Sequence, residues 1–571
     1  MRFLRMLTNA VVAGALGAAY LTVIVLQLNP QVPLLSATAW RWYATLAASY
    51  GLHLAVFFYV LMVLREFFSL HMLAPAWVSV RVLAWLAAAL AGAAAVVMWL
   101  NVRGFAAALG DLAARRMALG AWAVAISALL LLGIAIAHYS SGRRGGRVGD
   151  ALFAIAMTGS LVLPLAARGP AAPASPPLEW GIAAAAQRPA VSRVTLLLLD
   201  GASLEYIWTR AAEGRLPHFA RLIDSGAAID LATIRPTQPD PVWAAAATGM
   251  LPARNGVRSA AAYYARGDGR PIDLLPDHCF SHALVTFGVV RGVAHSSAAW
   301  RTRPLWSILA QAGISVGFVR WPLTYPAPPV HGFLVADRFH DVIGSPLELD
   351  NRAAFPPDAA PLARAAFLDD VRGAAEHAVA AQDSPWSRDV SYRTAMHTLR
   401  ERWRPQVVAV RYQALDAVSH GHWAVGEARP TDAFEADRRR SEQLLERAYL
   451  RMDAEVGAAL EALAPDDLLL VISGFGMQAL HPVKRLLGRV LGEGGLAGTH
   501  ERAPDGFMLA YGRAVERGRR PRGAIVDVAP TVLYYLGLPV GRDMDGYARA
   551  DLFTRAFTAE RPIAFIPTHN R

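Results

Sequence analysis

The stretch RYQALDAVSHGHW, residues 411–423, sets Asp416 and His420 four positions apart just beyond a run of strand-forming residues. On a helix that spacing turns both side chains to one face, a turn apart. A carboxylate and an imidazole so paired suit a borderline-soft divalent ion, zinc in particular. His422 is a competing ligand that spacing alone does not exclude. His500 lies in a polar loop at the start of GTHERAPDGFMLAYG, residues 498–512, ahead of another strand. One Asp and two His from separate loops would make a three-ligand site with an open position, the arrangement of catalytic rather than structural zinc.

Two further stretches carry candidate chemistry. Asp200 ends the apolar run VTLLLLD, and Gly201 after it permits a tight turn. A carboxylate there binds a metal or caps a turn. In RPTQPDPVWAAAATGMLPARNGV, residues 235–257, prolines fix the approach to a short helix beginning near Val242, with Thr237 and Asp240 just before it. Free backbone N–H groups at such a terminus suit an anion. A hydroxyl there is a nucleophile if a metal or base lowers its pKa; a capping Thr or Asp would account for the same residues without chemistry. LLLVISGFGMQAL, residues 468–480, reads as a buried strand running out into Gly474-Phe475-Gly476, a tip with no ionisable group.

These residues need a scaffold that brings strand ends together. Beyond residue 190, short apolar runs such as VTLLLLD, SVGFVRW, VVAVRYQALD, DLLLVIS and FMLAYG alternate with helical patterns. One of these, 431–463, offers Leu444, Leu445, Leu450 and Val456 as an inner face. Near-continuously apolar strands alternating with helices imply a sheet covered on both faces, an α/β domain. Ligands of such sheets collect at the carboxyl ends of the strands.

The first part of the chain follows another pattern. Apolar segments near 8–28, 44–64, 79–100, 117–137 and 150–167 are separated by short arginine-bearing loops. Each is close to the ~20 residues that cross a bilayer. Trp40, Trp42, Trp77 and Trp99 near segment ends resemble an interfacial belt. Arg2 and Arg5 precede a run too long, and followed by too many others, for a cleavable signal. Five crossings put the termini on opposite sides. Arg2, Arg5 and the Arg143, Arg144, Arg147 cluster favour a cytoplasmic N-terminus, with Arg115 and Arg116 opposing. The expected organisation is an all-α transmembrane bundle over 1–167, a Pro/Ala-rich linker over 168–190, and an α/β domain over 191–560. Inserts near 259–300 and 340–395 lie between its motifs as candidate caps. The large domain is expected outside the cytoplasm, on the inner or plasma membrane.

Composition agrees with a mixed architecture. The 571 residues are 54 % hydrophobic and 18 % charged, with a mean hydropathy of +0.29. A single cysteine, Cys279, excludes an internal disulfide and a cysteine-rich metal site. The net charge of +11 is carried almost entirely by arginine. No lysine run, zinc finger or basic–aromatic patch accompanies it, so nucleic acid is not an expected partner.

In this order the stretches LLLLDGASLEYI…GRLPHFARLIDSGA, PVWAAAATGMLPARNGV and VDVAPTVLYYLGLPVGRDMDG resemble the alkaline phosphatase superfamily, in its type I phosphodiesterase/nucleotide pyrophosphatase branch. The resemblance covers nearly all of 190–550. It implies an alkaline-phosphatase-like sheet with helices on both faces, two metal ions at the strand ends, usually zinc, and a Thr or Ser that attacks phosphorus. By position, Asp416, His420 and His500 resemble the ligands of one ion and Asp200 a ligand of the other, with Thr237 as nucleophile. The departures are specific. Ser473-Gly474-Phe475-Gly476 stands where the family's second ion takes an Asp-His pair from "SDHG". Pro239 occupies the usual nucleophile position, and Asn255 stands where relatives often carry His. The expectation is therefore one well-formed metal site in a membrane-anchored phosphoric ester hydrolase acting on diesters, with a lipid headgroup as a candidate substrate. A headgroup- or partner-binding pseudohydrolase is the alternative without turnover. The spans followed by such a domain are also similar to envelope phosphoethanolamine and phosphoglycerol transferases.

Overall fold

A computed structural model of the chain describes residues 1–68, 76–139, 146–170, 178–181, 192–277, 282–342, 351–375, 385–423, 432–482, 484–485, 496–502 and 504–570. Most of the expected linker, 168–190, lies outside them. The chain forms two compact units, Met1–Ala174 with Ala261–Ala294, and Ser175–Ala260 with His295–Arg571.

The first unit is a helical bundle of α1 (Arg2–Leu28), α2 (Ala37–Leu46), α3 (Leu52–Phe68), α4 (Val80–Gly104), the short α5 (Ala106–Leu109), α6 (Asp111–Tyr139) and α7 (Arg147–Ala166). A π-turn over Ala47–Gly51 makes α2 and α3 one continuous element. Among the described residues, five elements are long and apolar enough to cross a membrane: α1, α2–α3, α4, α6 and α7. Apolar residues cover their outer faces too. Phe57, Leu61 and Leu64 of α3 and Trp122, Ile126 and Leu129 of α6 are exposed, as suits helices solvated by lipid. Buried polar groups pair inside: Asn9 donates to the Ala76 and Trp77 carbonyls and accepts from Ser79 N, and Tyr20 bonds Ser160 at 2.6 Å. Helix α1 and the π-turn meet at Gly14 and Gly51, where a Cβ on Gly14 would lie 2.2 Å from the Gly51 oxygen. Small residues at that crossing permit the close approach.

The insert expected near 259–300 packs with these helices. Numbered by their place in the chain, β3 (Ala261–Ala265) and β4 (Val290–Ala294) pair antiparallel. Tyr263, Ile272 and Leu275 share a core with Val25, Trp42 and Leu46, and Leu274 joins the main core of the bundle.

The second unit is built on one mixed sheet. Its strands are β1 (Val194–Leu199), β2 (Ala227–Ala232), β5 (Val316–Val319), β6 (Gly332–Val335), β7 (Ala354–Phe355), β8 (Val407–Tyr412), β9 (Leu468–Phe475), β12 (Asp505–Tyr511), β13 (Gly518–Arg519) and β14 (Gly523–Ala524). The short strands β10 (Gln478–Ala479) and β11 (Gly498–Thr499) pair separately. The sheet order is β13-β2-β12-β9-β1-β8-β5-β6-β7, with β14 also on β2. Strands β9, β1, β8, β5 and β6 run parallel, whereas β12 is antiparallel to β9 and β2. The start of β12 therefore lies at the edge where β9 and β1 end, with Asp505 opposite Phe475.

Side-chain alternation divides the strands between two faces. Leu197 and Leu199, Val408, Val410 and Tyr412, and Val471 enter one core with α8 (Leu204–Ala212), α9 (Pro217–Ser225) and the helices Ala359–Ala375, Pro385–Trp403 and Asp432–Glu461. The described part of 340–395 contributes Ala359, Ala363, Phe367 and Tyr392 to that core. On Asp432–Glu461, Leu445 and Val456 face inward as expected, but Leu450 is 42 % exposed. Five residues carry it about 140° round the helix from Leu445, and Ala448, Tyr449 and Met452 complete the inner face. Helix α10 (Pro239–Thr248) packs on β9 and on the helix Val528–Tyr535.

Candidate active site

At the carboxyl end of β8 the chain turns directly into the helix Ala414–His422. Asp389 caps its start, accepting from Gln413 N at 3.1 Å and Ala414 N at 2.9 Å, and is itself paired with the buried Arg320. The first turn carries Asp416 and the next His420, and His420 Nε2 lies 3.6 Å from Asp416 Oδ2. His500 arrives on the loop after β11, its ring centroid 5.0 Å from that of His420. One ligand atom from each of Asp416, His420 and His500 lies within 4.8 Å of the other two.

The donor chemistry of the three residues fits an ion. His420 Nδ1 donates to the Gly498 carbonyl at 3.0 Å, and His500 Nδ1 donates to the Thr237 carbonyl at 3.1 Å. A carbonyl oxygen only accepts, so in the neutral rings both protons sit on Nδ1 and both Nε2 lone pairs are left for a metal. Burial holds His500 below the usual imidazole range and so favours the neutral form a ligand needs. Asp416 Oδ1 is buried and has no hydrogen-bond partner among the described residues. Burial, then the nearby charge of Asp200, pushes the Asp416 carboxyl up to about 7. Gly201 makes room for it. With φ at +67°, its Cβ would stand 2.6 Å from Asp416 Oδ1, so neither the backbone nor the space admits a side chain. His422 lies apart, bonded to Ser441 Oγ at 3.3 Å.

Thr237 is 2 % exposed, and its Oγ1 also lacks a partner among the described residues. Its carbonyl holds His500, so the threonine loop and a candidate ligand are one unit. Asp240 follows in the first turn of α10, its carboxyl pushed up to about 6 by burial.

Asp200 is engaged differently. Its carboxylate accepts from Arg411 Nε at 3.1 and 3.0 Å, from Arg411 Nη2 at 2.5 Å, and from Trp243 Nε1 at 2.7 Å. Asp200 is 1 % exposed and Arg411 4 %. Neither Arg411 nor Trp243 stood out from motif spacing. The signal available was a charged residue inside the otherwise apolar VVAVRY, on the face opposite Val408 and Val410.

A profile of the type I phosphodiesterase/nucleotide pyrophosphatase family matches residues 194–540. The chain belongs to this family. No curated protein matches the chain. Membership supports phosphoric ester hydrolysis or a related activity, and phosphate esters as substrates, in a protein whose N-terminal region has five candidate membrane spans.

The tip of β9 in this phosphodiesterase-family chain is filled by apolar groups. A Cβ on Gly474 would lie 2.4 Å from Val242 Cγ1, so the valine methyl occupies the space of an absent side chain. Phe475 is fully buried, and its ring lies 4.9 Å from that of His500. Ser473 Oγ turns back to the Phe475 carbonyl at 2.8 Å. Asn255 is buried and tied to its own turn, donating to Met250 O at 2.9 Å and accepting from Val257 N at 2.8 Å.

Proposed function

We propose that the protein is a membrane-anchored, metal-dependent phosphoric ester hydrolase acting on diesters, with one zinc ion held by Asp416, His420 and His500 and Thr237 as nucleophile. The observation that carries this reading is the convergence of three ligand atoms, one of them on a histidine held by the carbonyl of Thr237, whose own buried hydroxyl has no partner among the described residues. Bound there, a divalent ion would polarise a phosphoryl oxygen and lower the pKa of a hydroxyl within its reach. Thr237 would supply the attacking oxygen. Its carbonyl keeps the His500 ring in the tautomer that ligates, and Gly498 does the same for His420. Arg411 balances the charge of Asp200, so that this carboxylate stays fixed within the site instead of drawing in a second ion. Val242 and Phe475 exclude water from the strand tip beside the histidines, which strengthens electrostatic interactions there.

The substrate class follows from the family; a lipid headgroup is favoured by the bundle that precedes the sheet unit. Arginine placement favours a cytoplasmic N-terminus and a sheet unit outside the cytoplasm on the inner or plasma membrane. The test is elemental analysis of the full chain in detergent, with turnover of a chromogenic phosphodiester. We expect about one zinc per chain, lost with activity in His420→Ala, and in Thr237→Ala a loss of activity with the metal retained. Turnover in Thr237→Ala would remove the nucleophile assignment. The burial of Asp200 by Arg411 and Trp243 gives the pseudohydrolase reading its support. Metal bound without turnover of any ester would establish it, and label passing from a lipid donor to a lipid acceptor would establish a transferase.

A further inference from the structure

The chain leaves the sheet unit after Ala260 and returns at His295. The excursion begins shortly after the Thr237 loop, and both of its ends are fastened. At the sheet-unit end, Ala260 N donates to Gln238 Oε1 at 2.8 Å, and His295 N bonds Ala260 O at 3.3 Å. Gln238 is the residue next to Thr237 and stands at the N-cap position of α10, where its side chain serves Ala260 instead of the helix. At the membrane-unit end, two buried asparagines take hold of the insert's backbone. Asn29 accepts from Asp273 N and Leu274 N at 3.0 Å each and donates to Leu274 O at 2.7 Å. Asn101 accepts from Asp277 N at 2.8 Å and donates to Asp277 O at 3.2 Å. Arg41 pairs with Asp268 at 3.1 Å. Amides at the ends of α1 and α4 thus serve the insert as a neighbouring strand would, satisfying donor and acceptor together. A surface loop has no need of such anchoring. Rooted on Gln238 at one end and on Asn29 and Asn101 at the other, the insert has a fixed point in each unit.

We propose that residues 261–294 link the membrane unit mechanically to the candidate nucleophile loop, with Gln238 as the positioning residue through which the anchored insert sets Thr237. The kinetic consequence rests on the hydrolase reading above; the structural consequence does not. Loss of either fastening should loosen 233–248, and misplacement of Thr237 should lower kcat while leaving KM unchanged, because orientation rather than binding is lost.

The experiment is hydrogen–deuterium exchange on the full chain in detergent, read on peptides covering 233–248, alongside phosphodiester kinetics. Asn29→Ala with Asn101→Ala, and separately Gln238→Ala, should raise exchange there about fivefold, as loss of one hydrogen bond permits, and lower kcat about tenfold. Gln238→Glu keeps an acceptor oxygen for Ala260 N and should restore wild-type exchange. Asn9→Ala disturbs the same bundle at an amide bonded to Ala76, Trp77 and Ser79, and should leave 233–248 unchanged. Exchange that rises only within 261–294, or equally in Asn9→Ala, overturns the link. If the wild-type chain has no turnover but the exchange pattern holds, the hydrolase reading fails and the link stands.

Discussion

Replacing Arg411 with methionine tests the electrostatic account of the site most directly. Methionine retains much of the apolar stem but removes three hydrogen bonds and the only charge paired with Asp200 among the described residues, leaving the Trp243 indole as its sole donor. Both groups are almost fully buried, so the pair cannot be replaced by water. Breaking a buried pair from one side costs about 3–5 kcal/mol, because the remaining charge is uncompensated. For a unit of this size that lowers the melting temperature by roughly 10 °C. Arg411→Met with Asp200→Asn removes both charges and keeps an acceptor for Trp243, and should recover part of the loss, since no uncompensated charge stays buried while the new amide N–H groups still lack acceptors. Thermal unfolding followed by pulse proteolysis of the sheet unit in the full chain reads all four states of this cycle. A coupling energy below about 1 kcal/mol would refute the assignment of Arg411 as the counter-charge of Asp200, and with it the argument that this carboxylate has no call on a second ion.

Three other outcomes are expected. Gly201→Ala puts a methyl against Asp416 Oδ1 at a left-handed backbone position; metal affinity measured by competition with a chromophoric chelator should fall about tenfold or more, and unchanged affinity would show that Asp416 is not a ligand. Gly474→Ala meets Val242 inside a packed strand tip and should cost about 1–3 kcal/mol in denaturant unfolding while metal content stays the same. In the metal-free protein the folded-state Asp416 carboxyl titrates at about 7, against roughly 4 in an unfolded chain. Its contribution to stability is therefore fully present below the lower value and lost as pH rises through the upper one. A divalent ion must displace that proton, so calorimetry should show metal binding tightening as pH rises through neutrality, with proton release on its acid side; affinity flat across that window would contradict it.

What the sequence made legible follows chain locality. VTLLLLD and DLLLVIS read as buried strands because residues 196–199 and 468–472 are unbroken apolar runs, and the sheet pairs them side by side. Asp416 and His420 belong to one helix, so their spacing carried their geometry; His500 joins them only through the sheet. Arg411 was less legible, because its meaning depends on Asp200, which is distant in sequence and adjacent only through the pairing of β1 and β8. Leu450 shows the limit of a hydrophobic pattern, since an apolar residue off the inner stripe looks the same in the sequence as one on it. The partners of the insert were not legible at all: Asn29 follows one apolar helix and Asn101 lies in another, and their bonds reach 245 and 176 residues along the chain.

That reach has a consequence for how the protein is made and cut. The helices of the bundle leave the ribosome long before β3 and β4 do, roughly ten seconds earlier at ordinary rates of synthesis. Until then the carboxamides of Asn29 and Asn101, both fully buried in the finished protein, have the Val25 and Val97 carbonyls of α1 and α4 but not their partners in the insert. The reverse holds for any attempt to produce the sheet unit alone. A fragment beginning after α7 would carry Tyr263, Ile272 and Leu275 without Val25, Trp42 and Leu46 to cover them, leaving an apolar hairpin open to aggregation. The natural cut removes 261–294 as well, closing Ala260 to His295 with a short turn across the hydrogen bond that already joins them.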